Sequence, residues 1–396
     1  MRNYSIKNTK WLNPGHELDY IASIINRKEN RFYIVGTESE IRSFWRKSGK
    51  NIRSNIAGYI LTENNDAVDC IGTISVVKDT DIIRDIYSII VCVSQNRSNY
   101  EANMNLFSNY GFEENRQFFQ GEVFSQVYDV YVNDFLAIDR VEIFVTSKCS
   151  LKCEKCISYI PYFKKTEHEP LEMLKDDVDL LFSKVDYVRK FKILGGEAFL
   201  YPDIKEYVDY VCERYGDRIE SIRIGTNGTI NPNKEIIDML KRNHVVVDIS
   251  DYMVTLGKRS KLQDVITVCK DNGVEVDIKR TGEQWLDMGF PNNIPLSRNE
   301  EQLQKHFNRC AFYCRDFWNG KFWFCCSNFA AVRAGLFEEN RNDYLDFREK
   351  LSKKEILEFE VGYSSLGHTT FCKTCRGCSD EVNPFHVEVA KQVDKI

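Results

Sequence analysis

VEIFVTSKCSLKCEKC, residues 141–156, is the stretch whose reading decides the fold. VEIFV is short, apolar and β-branched, which reads as a buried strand, and the polar turn after it carries three cysteines. The same unit recurs downstream. FKILGGE (191–197), SIRIGTNG (221–228), VVVDIS (245–250) and VEVDIK (274–279) are each an apolar run that ends in a polar or glycine-rich turn. Amphipathic stretches such as LEMLKDDVDLLFSKV and NKEIIDMLKRN separate them. Alternation of strand and helix over residues 136–300 predicts a parallel, curved sheet, a partial (β/α)6 barrel of TIM type, with its active site at the C-terminal ends of the strands. The cysteines, GGE and TNG all lie at such ends.

Residues 1–135 form a separate α/β series. Leu18, Ile21, Ile24 and Ile25 recur at helical spacing, and FYIVG (32–36), IAGYIL (56–61), a short strand at 71–76 and SIIVCVS (88–94) read as strands. The segment ending in LFSNYGF (106–112) adds a helix. A small parallel sheet of Rossmann type is expected. The turn after the first strand reads GTESEI, which keeps only Gly36 of a GxGxxG fingerprint. A nucleotide or nucleotide-sugar docking module and a sheet domain that positions its neighbour both remain open for this segment. Residues 301–396 lose the β–α rhythm and hold seven cysteines, predicting a small cysteine-rich third domain.

The 54 basic and 59 acidic residues leave a formal charge of −5, so no charge imbalance favours nucleic acid or an anionic membrane as partner. No run reaches the ~20 apolar residues of a membrane helix, and the N-terminus lacks the apolar stretch of a signal peptide. A cytoplasmic location is expected, where thiols stay reduced. Of the fourteen cysteines, Cys70, Cys92, Cys212 and Cys269 stand alone and read as ordinary buried thiols. The other ten fall in groups.

The first group is C-x3-C-x2-C at Cys149, Cys153 and Cys156. Three thiolates on one short loop suit three irons of a [4Fe–4S] cube and leave the fourth iron without a protein ligand. The alternative, a zinc site, ordinarily requires a fourth Cys or His. This spacing, together with GGE and TNG at successive strand ends, resembles the radical S-adenosylmethionine (SAM) superfamily from about residue 141 onward. The resemblance implies that SAM binds the open iron and is cleaved to a 5′-deoxyadenosyl radical that abstracts hydrogen from a substrate. It places Gly195, Gly196 and Glu197 at the amino group of SAM, Thr226 and Asn227 near its tail, and Ser250 at its ribose. Lys155 departs from the bulky apolar residue common in the family before the third cysteine. Adenine contacts must therefore differ here.

The second and third groups are Cys310, Cys314, Cys325 and Cys326, then Cys372, Cys375 and Cys378. C-x9-G-x4-C from Cys310 through Gly320 to Cys325, followed by CKTCRGC, resembles the SPASM/twitch extension of radical SAM enzymes. It implies one auxiliary [4Fe–4S] cluster, with Cys310 or Cys314, Cys325 and two of the last three cysteines as ligands. A zinc ribbon is the alternative. A surplus thiol such as Cys326 is a candidate hydrogen-atom donor. IVGTESEIRSFW, AGYI and IIVCVS in the N-terminal segment resemble the small Rossmann-like modules of bacterial surface-polysaccharide enzymes, and NGKFWFCC resembles radical SAM proteins associated with surface-glycan synthesis, implying oxidation or epimerisation of a carbohydrate or nucleotide-activated sugar. A SPASM-type maturase of ribosomal peptides and a non-catalytic zinc-stabilised binding protein are the competing readings. A radical SAM enzyme also implies an electron donor such as flavodoxin or ferredoxin. The six histidines form no metal-spaced pair, and His306, Tyr201, Tyr252 and Trp285 are further residues near the expected site.

Overall fold

In the computed structural model, which describes residues 6, 9–47, 50–62, 70–71, 74–77, 87–94, 96–280, 282, 284–292, 296–310 and 314–393, the chain divides into two units. The first comprises residues 1–136 and 352–363, the second residues 137–351 and 364–396. The expected boundary near residue 300 does not delimit a body of its own.

In the first unit, helix α1 (Asp19–Ile25) leads into strand β1 (Arg31–Gly36), helix α2 (Glu38–Lys47) and strand β2 (Ile56–Leu61). Strand β3 (Ser88–Cys92), helix α3 (Arg97–Ser108), strand β4 (Phe118–Gln120) and helix α4 (Gly121–Asn133) follow. The strands form a parallel sheet in the order β2-β1-β3-β4. Their near-continuous apolar runs follow from burial on both faces. Phe32 packs edge-on against Phe124 on one face, and Val35, Ile60, Ile90, Tyr100 and Phe107 cluster within the sheet and helices. The order reverses between β1 and β3, where a doubly wound sheet places its ligand. There the N–H of Thr37 donates to Glu40 Oε2 at 3.0 Å, so a carboxylate already holds the start of α2. A pyrophosphate would have to displace a like charge, and the described residues lend nothing to the nucleotide-docking reading. The side chain of Cys70 lies outside the described residues.

The helix Lys353–Glu360 belongs to this first unit although it is more than 200 residues downstream. Its Glu358 is fully buried and accepts from Trp11 Nε1 (2.8 Å), Gly15 N (2.6 Å) and Glu17 N (2.8 Å). Glu358→Ala orphans three donors. It should lower stability by about 1–3 kcal/mol, read as an earlier midpoint in urea unfolding of this unit.

In the second unit, strand β5 (Ala137–Phe144), helix α5 (Leu171–Phe182), strand β6 (Tyr187–Leu194), helix α6 (Ile204–Tyr215) and strand β7 (Ile219–Thr226) set the rhythm. Helix α7 (Lys234–Arg242), strand β8 (Val246–Asp251), helix α8 (Leu262–Asp271) and strand β9 (Val276–Arg280) continue it. All five strands are parallel neighbours in chain order. A short strand β10 (Gln284–Leu286) and helix α9 (Glu300–Arg309) lead to strands β11 (Asp316–Trp318) and β12 (Lys321–Trp323). Helix α10 (Cys326–Arg333) and strand β13 (Tyr344–Asp346) come next, and β14 (His386–Glu388) pairs antiparallel with β10. The order of the main sheet among the described residues is β9-β8-β7-β6-β5-β11-β12-β13. Part of the cysteine-rich region therefore extends the main sheet: β11 lies parallel to β5, and β12 and β13 return antiparallel. The fold class is α/β with two parallel sheets and a cysteine-rich C-terminal part. No described helix is long and apolar enough to cross a membrane.

The β11–β12 turn is anchored to α5. Asp177 is buried and accepts from Asn319 N (2.6 Å) and Gly320 N (2.7 Å). Burial pushes its carboxyl up to about 6 despite these donors. A carboxyl raised above its unfolded value holds its proton more tightly in the fold. The stabilisation is thus complete below pH ~4 and lost as pH rises through about 6. Asp177→Asn should remove a fall of up to roughly 3 kcal/mol between those limits, seen as a flatter profile of unfolding free energy against pH.

Candidate active site

The ends of β5, β6 and β7 meet around Cys149. Gly196 N donates to Thr146 O (2.7 Å) and Glu197 N to Lys148 O (2.9 Å). A Cβ on Gly195 would lie 2.5 Å from Thr146 O, and one on Gly196 would lie 2.4 Å from Lys148 O and 2.8 Å from Cys149 Cβ. The two glycines are required because the backbone of the cysteine loop presses against them. Only a residue without a Cβ allows the loop to come this close.

Glu197 is buried, and its Oε2 accepts from Thr226 Oγ1 (3.0 Å) and Asn227 N (2.8 Å) while Oε1 accepts from Phe199 N (3.2 Å). It ties the end of β6 to the end of β7, and burial pushes its carboxyl up to about 7. Asn227 carries the link on to the cysteine loop. Its Nδ2 donates to Ser150 Oγ at 3.0 Å and lies 3.5 Å from Cys149 Sγ, and its Oδ1 accepts from Thr229 N and Thr229 Oγ1. Ser150 and Thr229 hydroxyls are 2.5 Å apart. Both were missed in the sequence, although each adjoins a motif that was read there. Ser250 is the penultimate residue of β8, and its hydroxyl meets that of Tyr252.

Cys149, Cys153 and Cys156 lie within electrostatic reach of one another. Burial pushes the Cys149 thiol up to about 12 and the Cys153 thiol up to about 11, so binding a cation there would release protons. Leu151 N donates to Cys149 Sγ at 3.4 Å, and Gln392 Nε2 donates to Cys153 Sγ at 3.4 Å. Several donors aimed at sulfur suit thiolate ligands of an iron–sulfur cube. Tyr252 and Trp285 meet each other edge-on, ring centroids 5.5 Å apart, and pack against the cluster of Leu151 and Cys153. Tyr201 instead lies buried, its hydroxyl donating to Glu169 O (3.0 Å), as a packing residue.

Lys155 is engaged by Asp287 (3.3 Å), which also holds Arg376 (2.9 Å). Lys155 and Asp287 line a narrow crevice with Cys156, Tyr159, Tyr162 and Met288, with room for about one water. Tyr159, buried and at φ 53°, donates to or accepts from Ser327 Oγ at 2.7 Å. It packs in one cluster with Cys375 and so joins the first cysteine loop to the C-terminal cysteines.

Those later cysteines form two overlapping groups, since Cys378 is influenced by both Cys310 and Cys314, and Cys326 by both Cys314 and Cys325. Cys325 is influenced by Cys375, Cys310 and Cys372, and Cys375 by Cys310, Cys372 and Cys378. Cys378 N donates to Cys310 Sγ (3.5 Å). Arg298 Nη1 clasps the loop through the carbonyls of Cys372 (2.7 Å) and Cys375 (2.8 Å). Cys326 instead hydrogen-bonds with Cys314, beside Asp316. His306 is buried against the Gly377 backbone and serves packing.

Residues 143–256 match the Radical SAM superfamily. Over 112 residues it is 31% identical to the antilisterial bacteriocin subtilosin biosynthesis protein AlbA of Bacillus subtilis, covering 27% of this chain and 22% of that protein. Over 151 residues it is 27% identical to the GTP 3′,8-cyclase of Campylobacter jejuni, covering 36% of this chain and 45% of the cyclase. The matches thus span less than half of either curated relative. Among solved structures, BtrN in complex with AdoMet and 2-DOIA aligns over 64% of this chain and 98% of its own, at 14% identity and a TM-score of 0.38.

Proposed function

We propose that the protein is a radical SAM enzyme with one auxiliary cluster. The observation that carries this reading is the continuous chain of contacts from Glu197 through Asn227 to Cys149, which unites the GGE, TNG and cysteine motifs at one end of the parallel sheet. Cys149, Cys153 and Cys156 hold the first [4Fe–4S] cluster, with SAM as its further ligand. When bound and reduced, that cluster supplies the electron that cleaves SAM to methionine and a 5′-deoxyadenosyl radical. Glu197, already satisfied by Thr226, Asn227 and Phe199, fixes the rim on which the amino group of SAM rests. Gly195 and Gly196 hold that rim against the loop, and Ser250 borders the ribose side.

Cys310, Cys325, Cys372 and Cys375 are the ligand set for the auxiliary cluster, as Cys325 and the three thiols that act on it. Cys378 stands next to this set, and Cys314 and Cys326 form a pair outside it. Cys326 remains the candidate hydrogen-atom donor.

The substrate we assign is a small polar molecule of the carbohydrate class, oxidised or epimerised, in surface-glycan synthesis. The side chains beside Cys156 support it, combining the aromatic faces of Tyr159 and Tyr162 with the charged groups of Lys155 and Asp287. With Glu40 at the start of α2, the sugar reading no longer draws on a nucleotide handle in the first unit. A peptide substrate is the second reading, favoured by similarity to a bacteriocin biosynthesis protein. Turnover in deuterated water separates the readings: carbohydrate and peptide panels are screened for products that gain one deuterium (epimerisation) or lose two hydrogens (oxidation). A product from peptides alone would reject the carbohydrate assignment.

A further inference from the structure

After β14 the chain turns at Ala390 (φ 52°) and lays residues 389–393 along the first cysteine loop. Glu154 N donates to Lys391 O (2.7 Å) and Val393 N to Lys152 O (2.8 Å), pairing the two segments antiparallel across Cys153 and Gln392. Val389 and Ala390 are fully buried, in one cluster with Leu151, Cys153 and Leu256. The Gln392 amide has its orientation fixed by three contacts. Its Oε1 must accept from Lys152 N (2.9 Å), which turns Nε2 to donate to Ala390 O (2.6 Å) and to Cys153 Sγ (3.4 Å). A segment about 240 residues downstream therefore covers the loop and brings a hydrogen-bond donor to one of its sulfurs.

We infer that residues 389–393 form the cover of the SAM-binding cluster and that Gln392 is a positioning residue that raises its reduction potential. The inference rests on the assignment of that cluster to Cys149, Cys153 and Cys156. Reduction adds negative charge that is shared with the cysteine sulfurs. A donor N–H aimed at sulfur stabilises the reduced form more than the oxidised one, and the water-poor surroundings under Val389 and Ala390 strengthen that bond. Cys149 receives its donors from its own loop and from β7, whereas the described contact to Cys153 comes from Gln392.

The test uses the full chain, reconstituted anaerobically with iron and sulfide, and follows the paramagnetic signal that shifts on adding SAM. Gln392→Met keeps length and apolar packing but cannot donate. It should lower the ratio of reduced to oxidised cluster about tenfold at a fixed applied potential, equivalent to 59 mV for a one-electron couple. In the unmutated protein, 15N in the glutamine side chains should give a hyperfine coupling to that cluster, a readout that survives if the variant fails to fold. A SAM-responsive cluster with unchanged potential in Gln392→Met, or with no such coupling, overturns the role of Gln392 alone. Absence of any SAM-responsive signal in the unmutated protein overturns the cluster assignment and this inference together.

Discussion

Cys153→Ala should bind about four fewer irons per chain than the unmutated protein and form no 5′-deoxyadenosine from SAM. Cys153 is buried at 7% exposure between Gln392 and Leu256, and its replacement leaves two thiolates, too few to retain the cube against water. The fold should survive, because removing one sulfur from this cluster costs only on the order of 1 kcal/mol. Cys212→Ala on α6 is the matched control, and iron and product should both stay at the level of the unmutated protein. Iron and sulfide analysis, with chromatography of the nucleoside product, reads both effects.

The second large effect separates the C-terminal thiols. Cys325→Ala should remove about four of roughly eight irons while cleavage of SAM persists, because the first cluster is untouched. Conversion of substrate should stop or uncouple from SAM consumption. Cys314→Ala should keep the full iron content, since Cys314 is hydrogen-bonded to Cys326 outside the Cys310–Cys325–Cys372–Cys375 set. Equal iron loss in both variants would place Cys314 among the ligands. One zinc in place of the second four irons would turn the auxiliary site into a zinc ribbon.

The parallel strands were legible because their signal is local. FKILGG, SIRIGTNG and VVVDIS fall on β6, β7 and β8, and their polar ends are the turns that meet at Cys149. The N-terminal strands were legible for the same reason. The β11–β12 hairpin also had a local signal: Asn319–Gly320, both at positive φ, between alternating aromatics is a strong hairpin sequence. Other features had no local signal at all. Glu358 is satisfied by donors more than 340 residues away, and Gln392 reaches Cys153 across 239. A polar residue on a short helix and a glutamine beside a lysine carry no mark of such partners. The glycines of GGE show a different limit. The need for close approach could be read, but the approaching partner was the chain itself.

The charge at the start of α2 has the same character. GTESEI showed missing glycines, yet that Glu40 turns its carboxylate back onto Thr37 N depends on the helix having formed.

The central claim is tested most directly by one assay: the unmutated protein, reconstituted anaerobically with iron and sulfide and reduced with dithionite, is incubated with SAM and 5′-deoxyadenosine is quantified. The account predicts its formation by protein holding about eight irons per chain. A colourless, zinc-loaded protein that leaves SAM intact would contradict it.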